Sequence, residues 1–443
     1  MYQSNDILIE LAFIFLHALL FLVNYRIHKK KIMHPGVLFS FLWFGILLLR
    51  FIFSLTLLDK LFSISVPTYL IFFIGATAYS FGAFVQTTYW QKNLFQRTEK
   101  INQQISPVEI SLLLRYILVV LIIIGLPFYI LAAYRVFLAS NYENFFIGLR
   151  TELSYGTEDM GSVKYLFPFS LVTYAVSIYS LLTDRNRVNI ILFRISLIAV
   201  IIYTIFFTGR TPFLFILALY VGLSAFYNKK FSIKKLSRLF IPFLIVFMLF
   251  GVIYGKGGGV ENSVQENIKP AAQMTAIYMV GSLNALEWEL HHQYRVSYNG
   301  NNSLRFFIKI GEQLQIFPNT KANDLIQEFV FVPYPTNVYT IYSLYIKDFG
   351  RIYAWIIVLL LGALQSFIYN KALTSKSIRF SIWYSFLLFP MLMSFFADQY
   401  FSLLSYWLQI GIFIEAILFL NKFFTGKNGR YSNRKLEQQG VSS

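Results

Sequence analysis

The sequence predicts an all-α, polytopic membrane protein, and three observations carry that prediction. Of its 443 residues, 57% are hydrophobic and only 13% charged, against roughly half and a quarter in ordinary soluble domains. Runs of about 20 mostly apolar residues, long enough to cross a hydrocarbon core of roughly 30 Å, recur from one end to the other. Basic residues outnumber acidic ones 38 to 21, and they collect in alternate loops between those runs. The chain holds no Cys, which excludes disulfides, thiol chemistry and thiolate metal sites.

Eleven spans follow: 7–25, 36–58, 67–89, 107–133, 163–182, 188–207, 211–226, 239–254, 352–369, 380–396 and 400–420. The first has no basic residue before it and no small-residue cleavage site after it, so it is not read as a removable signal peptide. Ser106-Pro107-Val108-Glu109 has the form of a capping box with proline at the first helical position, and is expected to open the fourth span. Pro127, Pro168, Pro242 and Pro390 fall inside spans, where they kink helices and leave carbonyls for neighbours to satisfy.

Orientation follows from the basic residues of the short loops. One side carries Arg26 and Lys29 to Lys31, the Lys92–Lys100 cluster, Arg185, Arg187, the 229–238 cluster, Lys371, Lys376, Arg379 and a basic tail. The opposite short loops hold only Lys60, Arg135, Arg150 and Arg210. The rich side is expected to be cytoplasmic, with the N-terminus outside and the C-terminus inside. The net charge of +17 is then a topology signal, and no nucleic-acid partner is needed to explain it. The organisation expected is a membrane bundle over 1–254, an outer segment with amphipathic helices over 255–348, three further membrane helices over 349–421 and a basic tail over 422–443.

Residues 255–348 form the only long extramembrane stretch, so soluble chemistry is expected outside. The chain has no G-x-x-x-x-G-K-[ST] and no G-x-G-x-x-G. A protein working there without a nucleotide needs substrates that carry their own activation. Ionisable residues within spans are costly, at roughly 2.5 kcal/mol or more each at the bilayer centre. Arg115 and Arg194 read as snorkelling groups. Arg50 is balanced between a cavity-lining role and a structural one, while His17 and Glu415 read as groups hydrogen-bonded within the bundle.

Thr208-Gly209-Arg210 forms the whole turn between the sixth and seventh spans and sets Arg210 at the outer boundary, beside a helix N-terminus. A guanidinium there suits a diphosphate, because its planar fork binds oxyanions bidentately and keeps its charge, and the helix terminus adds amide donors. The alternative is an arginine resting on lipid headgroups. In the outer segment a helical pattern runs over 270–295. Glu287, His291 and Arg295 recur on one face at i, i+4 and i+8, with Tyr294 beside them. The carboxylate can orient the imidazole for base work, or the set is a surface ion-pair ladder. His291 and His292 diverge on a helix and no H-E-x-x-H is present, so no metal site is expected.

Arg305 and Lys309 form a second basic i, i+4 pair among aromatics. It reads as an interfacial amphipathic helix that either holds phosphate or rests on headgroups. Residues 333–350, with Asn337, Tyr339 and Asp348, read as a polar, aromatic dip leading into the next span. Asp348 is either a base or a cap. The letters Asp348-Phe349-Gly350 match a kinase magnesium motif, but no other kinase element accompanies them.

Taken together, His34-Pro35-Gly36-Val37-Leu38-Phe39-Ser40, Thr208-Gly209-Arg210-Thr211, Tyr278 with Gly281-Ser282, Pro335-Thr336-Asn337-Val338-Tyr339-Thr340 and Asp348-Phe349-Gly350 resemble a known family. The order of these features along most of the chain is similar to that of the bacterial oligosaccharide repeat-unit polymerases, the Wzy-type O-antigen and capsule polymerases. The resemblance implies a membrane-embedded glycosyltransferase of the C class, independent of metal and cofactor, related in architecture to the O-antigen ligases. It implies undecaprenyl-diphosphate-linked oligosaccharides as donor and acceptor, with membrane lipids, a flippase and a chain-length regulator as partners. By position Arg210 matches the diphosphate-binding arginine of the ligases and His291, more loosely, their acceptor histidine. Glu287 then joins the catalytic set, with Arg150, Arg295, Arg305, Tyr294, Asn337, Tyr339 and Asp348 as supporting binding residues. The rival readings are a lipid-linked oligosaccharide flippase, which calls for repeated halves, and an O-antigen ligase.

Overall fold

The computed structural model of the protein describes residues 4–97, 108–156, 158–209, 211–227, 264–292, 296–316, 322–323 and 327–438. Of the described residues, 78% are helical, with almost no sheet. Among the described residues, nine helices are long and apolar enough to cross a membrane. This is an all-α polytopic membrane protein, as expected where lipid forces every backbone group to find its partner within its own segment. Nine of the eleven expected spans correspond to these helices. The short 211–226 run is the helix Pro212–Tyr227, 16 residues long, and the run 239–254 lies outside the described residues.

Two compact units make up the chain. The first draws on residues 1–104, 255–374 and 386–404. It contains α1 (Ser4–Ile27), α2 (Pro35–Thr56), α3 (Val66–Arg97), α9 (Val264–His292), α10 (Arg305–Gln313), the hairpin β1 (Val330–Phe331) and β2 (Pro335–Thr336), and α11 (Ile341–Ser375). The second draws on 105–254, 375–385 and 405–443. It holds α4 (Leu112–Leu138), α5 (Phe145–Tyr155), a 3-10 turn at Gly161–Tyr165, α6 (Leu166–Thr183), α7 (Arg187–Phe206) and α8 (Pro212–Tyr227). The helix α12 (Ile378–Leu392) contributes to both, and α13 (Leu404–Gln438) belongs almost wholly to the second. The boundary at residue 254 is thus one of sequence order, since α1–α3 group with 255–374.

In the first unit, α3 and α11 approach so closely that only glycine fits. A Cβ on Gly82 would run into the Leu359 carbonyl, one on Gly362 into the Tyr79 carbonyl, and one on Gly75 into the Tyr342 ring. Small residues at such crossings let membrane helices pack backbone to backbone, where no hydrophobic force draws them together. Arg50 is fully buried, with Nη1 on Glu10 Oε1 at 2.5 Å and on the Tyr69 hydroxyl at 3.1 Å. Its Nε donates to Asn284 Oδ1 and its Nη2 to the Phe62 carbonyl. This corrects the cavity-lining alternative for Arg50: a buried Glu10 answers its charge inside the bundle. His17 does take an internal partner, with Nδ1 2.8 Å from the Phe13 carbonyl.

Beyond α1, the buried rings of His28 and His34 stack at 3.5 Å, with Tyr369 edge-on to His34. His34 caps α2 by accepting the Gly36 N–H on Nδ1. Its Nε2 lies 2.9 Å from Thr87 Oγ1, which in turn lies 2.8 Å from Ser366 Oγ. An imidazolium at His34 would turn a donor toward the Gly36 N–H.

The second unit corrects two expectations. Residues 108–110 are not helical and α4 begins at Leu112; Ser106 and Pro107 lie outside the described residues. At this later start Asn421 of α13 engages two backbone groups ahead of the helix. Its Oδ1 accepts the Ser111 N–H at 2.8 Å, and its Nδ2 donates to the Glu109 carbonyl at 3.0 Å. Arg115 does not snorkel; it is buried and donates to Asn189 Oδ1. Arg194 is exposed, and Glu415 pairs with Arg379 at 2.6 Å. Pro127 and Pro390 sit inside helices. Pro168 falls in the first turn of α6, where a missing N–H breaks no bond, and Pro242 lies outside the described residues.

The α3–α11 crossing predicts that Gly82→Leu or Gly362→Leu abolishes accumulation of monodisperse protein. Gly45→Leu, whose Cβ would meet open space, leaves the yield near wild type by size-exclusion chromatography. The histidine pair predicts a pH dependence. Burial, with Lys31 adding repulsion, drives the His28 pKa from 6.5 down to about 4, and burial lowers His34 as well, with His28 and Lys31 adding to it. The unfolded chain therefore takes up protons first. Stability is intact above pH 6.5 and falls as the pH drops toward 4. Thermal unfolding of the purified protein across that range checks this, and His28→Phe should flatten the slope.

Candidate functional site

In the second unit, a cavity of about 320 Å³ is walled by Tyr129, Arg150, Leu153, Ser154, Asp159, Met160, Lys164, Phe207, Thr208 and Gly209. Its volume lies at the small end of the range for ligand pockets, roughly 300–1,000 Å³. One face of α5 supplies Arg150, Leu153 and Ser154 at i, i+3 and i+4. Asn144 starts that helix by accepting the N–H groups of Phe146 and Ile147 on its side-chain oxygen, a cap worth about 1 kcal/mol. Arg150 is half-buried, and among the described residues its guanidinium has neither hydrogen-bond nor ion-pair partner. The Tyr129 hydroxyl, fully buried in α4, likewise has no partner among the described residues.

Two other groups on the wall answer each other. Lys164 Nζ lies 2.7 Å from Asp159 Oδ2, with both side chains at least half exposed. Asp159 also accepts the Gly161 N–H at 2.7 Å. The Lys164 hydrogen bond first, then the Gly161 N–H, hold its carboxyl below the usual carboxylate range.

The turn after α7 is conformationally demanding. Thr208 adopts φ 59°, a left-handed conformation that a β-branched residue rarely takes. A Cβ on Gly209 would stand 2.8 Å from Pro212 Cδ, so glycine is needed where α8 begins directly behind the turn. Non-glycine residues held in this region cost about 1–3 kcal/mol and cluster at functional sites. Arg210 lies outside the described residues; its chain neighbours Thr208 and Gly209 form part of the cavity wall.

The remaining sequence candidates belong to the first unit, apart from Tyr294 and Arg295, which lie outside the described residues. The Glu287–His291 pair forms as its i, i+4 spacing indicates, at 2.8 Å, with the imidazole 58% exposed. Ser65 donates to the other Glu287 oxygen at 2.9 Å, fixing the carboxylate. Arg305 opens α10 and is half-buried. Asn337 is half-buried and Tyr339 buried. The Tyr339 hydroxyl donates to the Glu328 carbonyl, and Lys347 lies 5.2 Å above its ring. Burial, with Glu328 adding to it, pushes the Tyr339 phenol up to about 12.

Asp348 is an anchor. Its carboxylate accepts the Ser303 N–H and hydroxyl, each at 2.6 Å, and the Asn302 side-chain amide at 2.6 Å. Two residues later Gly350 breaks α11 at φ 75°, ψ 172°. The Asp348-Phe349-Gly350 letters thus describe a clamp followed by a break. Tyr129, Ser154, Asp159 and Lys164 escaped the sequence reading. Thirty tyrosines gave no reason to single out one, and α5 joins no apolar run. The sequence traces of this wall were Arg150, in a loop otherwise poor in cations, and the Thr208-Gly209-Arg210 turn.

Comparison of the chain with protein-family models, with curated proteins and with solved structures gives no match.

The clamp predicts that Asp348→Ala lowers thermal stability by about 3 kcal/mol, since several charge-assisted hydrogen bonds are lost at a buried position. Circular dichroism melts of the purified variant check this.

Proposed function

We propose that this protein is a membrane-embedded glycosyltransferase that joins polyprenyl-diphosphate-linked oligosaccharide repeat units into a surface polysaccharide. The observation that carries the reading is the second unit's cavity, where Arg150 and the Tyr129 hydroxyl, both without partners among the described residues, and Lys164 line a space reached by the strained Thr208-Gly209 turn. Anions are what such a set recognises. Arg150 offers a planar fork for phosphoryl oxygens, and Tyr129 a further donor. Leu153, Met160 and Phe207 supply an apolar wall suited to the first isoprene units of a lipid carrier. The volume fits a diphosphate head and not an oligosaccharide, so the glycan itself would extend beyond it. The asymmetry of basic loops supports assigning this end of the unit to the outer face, where no nucleotide is supplied.

In the reaction, an acceptor hydroxyl at the non-reducing end of one lipid-linked repeat attacks the anomeric carbon of another. The new glycosidic C–O bond forms as the bond from that carbon to the diphosphate oxygen breaks. Prenyl diphosphate leaves with the electron pair, and the hydroxyl proton passes to a base. Fixed cations stabilise the charge growing on the leaving group, a role in which prepositioned donors are worth several kcal/mol. Arg150 and, from the sequence, Arg210 take this part.

Incubating the purified protein with a defined undecaprenyl-diphosphate-linked repeat, without nucleotide, should yield a ladder of oligomers. Arg150→Ala and Arg210→Ala should each cut polymer formation by about 100-fold or more with normal protein levels, the scale of losing one transition-state donor. Arg150→Lys should recover only part, because a point charge lacks the fork. Wild-type ladders from both alanine variants would refute the proposal.

A further inference from the structure

The helix α10 carries an apolar arc wider than the protein covers. On a helical wheel at 100° per residue, Ile310, Leu314, Phe307, Gly311 and Ile308 form one continuous sector, opposed by Glu312, Arg305, Lys309 and Gln313. Ile308 and Gly311 are buried. Phe307, Ile310 and Leu314, the other half of the arc, stand 53%, 38% and 65% exposed. Lys309, on the polar sector, is exposed.

The neighbouring contacts fix where this open half lies. The loop leading into α10 is bound to α11 at the level of its break. Ser303 donates to Asp348 through both N–H and hydroxyl, and the Ser297 N–H donates to the Lys347 carbonyl at 2.8 Å. Directly after Gly350, α11 starts a stripe of exposed apolar side chains at Ile352, Ile356, Leu360 and Leu364, at the i, i+4 spacing of one face. On a spanning helix that stripe is the lipid-facing side, and Ile352 marks where it begins. Arg305 follows Ser303 by two residues, so α10 starts beside the depth at which acyl chains start.

From this geometry we infer that α10 is an interfacial helix lying flat in one leaflet. Phe307, Ile310 and Leu314 enter the acyl boundary and Lys309 reaches the lipid phosphates. An amphipathic helix with cations on its polar face and large apolar groups opposite has this resting place. The Asp348 clamp sets its depth. This inference does not rest on glycosyl transfer.

The absence of native Cys allows a test free of background. Phe307→Cys, Leu314→Cys and Lys309→Cys are each spin-labelled in the full chain, in nanodiscs of phosphatidylcholine and phosphatidylglycerol. The ratio of collisions with oxygen to collisions with a water-soluble nickel chelate should be about threefold or more higher at 307 and 314 than at 309, as for a helix half sunk in the interface. Equal, chelate-dominated values at all three positions would overturn the inference in favour of a water-exposed helix. Labels at 307 and 314 shielded from both reagents would overturn it in favour of a protein partner or a second copy on that face. Two independent positions on the apolar arc keep the result readable if one substitution disturbs packing.

Discussion

A guanidinium held away from water must be answered, because its charge cannot be shed by deprotonation and lipid offers no hydrogen bonds. That constraint organises much of this chain. Arg50 is met by Glu10, Tyr69, Asn284 and the Phe62 carbonyl, which ties α1, α2, α3 and α9 to one buried point. Removing a single partner of such a pair costs about 3–5 kcal/mol, so the first unit is locked at that point. Arg115 is met by Asn189, whose own amide bonds the Asp184 carbonyl. Arg150 is the contrast, with a wall of open space where the others have acceptors. Among the described residues Arg150 is half-buried, without a protein partner, and lines a cavity, which makes it a natural place for an exogenous anion.

The membrane architecture was legible because long apolar runs fix both the presence and the type of an element, whatever its tertiary partners. The Glu287–His291 pair was legible for a similar reason, since i, i+4 geometry is local. What failed to read was everything settled at a distance. Ser106-Pro107-Val108-Glu109 had the letters of a capping box, yet α4 starts later, where Asn421, some three hundred residues away, satisfies the Ser111 and Glu109 backbone. Arg50 was ambiguous because its answer, Glu10, lies on another helix. The cavity was hardest of all. It is assembled from α4, α5, the 3-10 turn and the end of α7, and only Arg150 and the Thr208-Gly209-Arg210 turn left a signal in sequence.

The Asp348-Phe349-Gly350 stretch shows how a motif can carry geometry where its letters suggest chemistry. An aspartate in an outward segment is a natural candidate base, yet this carboxylate accepts from Asn302 and Ser303 on both oxygens. Gly350 sits at a φ that L-residues seldom adopt, with Tyr298 close to where a Cβ would stand. The pair converts one continuous helix into a short buried helix, a break and a span, and the break is where the loop before α10 attaches.

The energetics of the cavity argue for a site prepared before its ligand arrives. Thr208 in the left-handed region costs about 1–3 kcal/mol, and a buried hydroxyl without a partner among the described residues about as much again. Neither of these is a feature that packing alone would select, and the Asn144 cap, at about 1 kcal/mol, offsets only part of the total. An anion that accepted from Arg150 and Tyr129 would return about 1.5–3 kcal/mol for each charge-assisted bond. The Lys164–Asp159 pair fits the same picture, since an exposed ion pair holds its partners by no more than about 1 kcal/mol. Lys164 can therefore leave Asp159 for a dianion at little cost. The cavity thus combines strain already stored in the turn, donors lining it, and a cation on loose reserve, which is the preparation that the proposed binding of a diphosphate calls for.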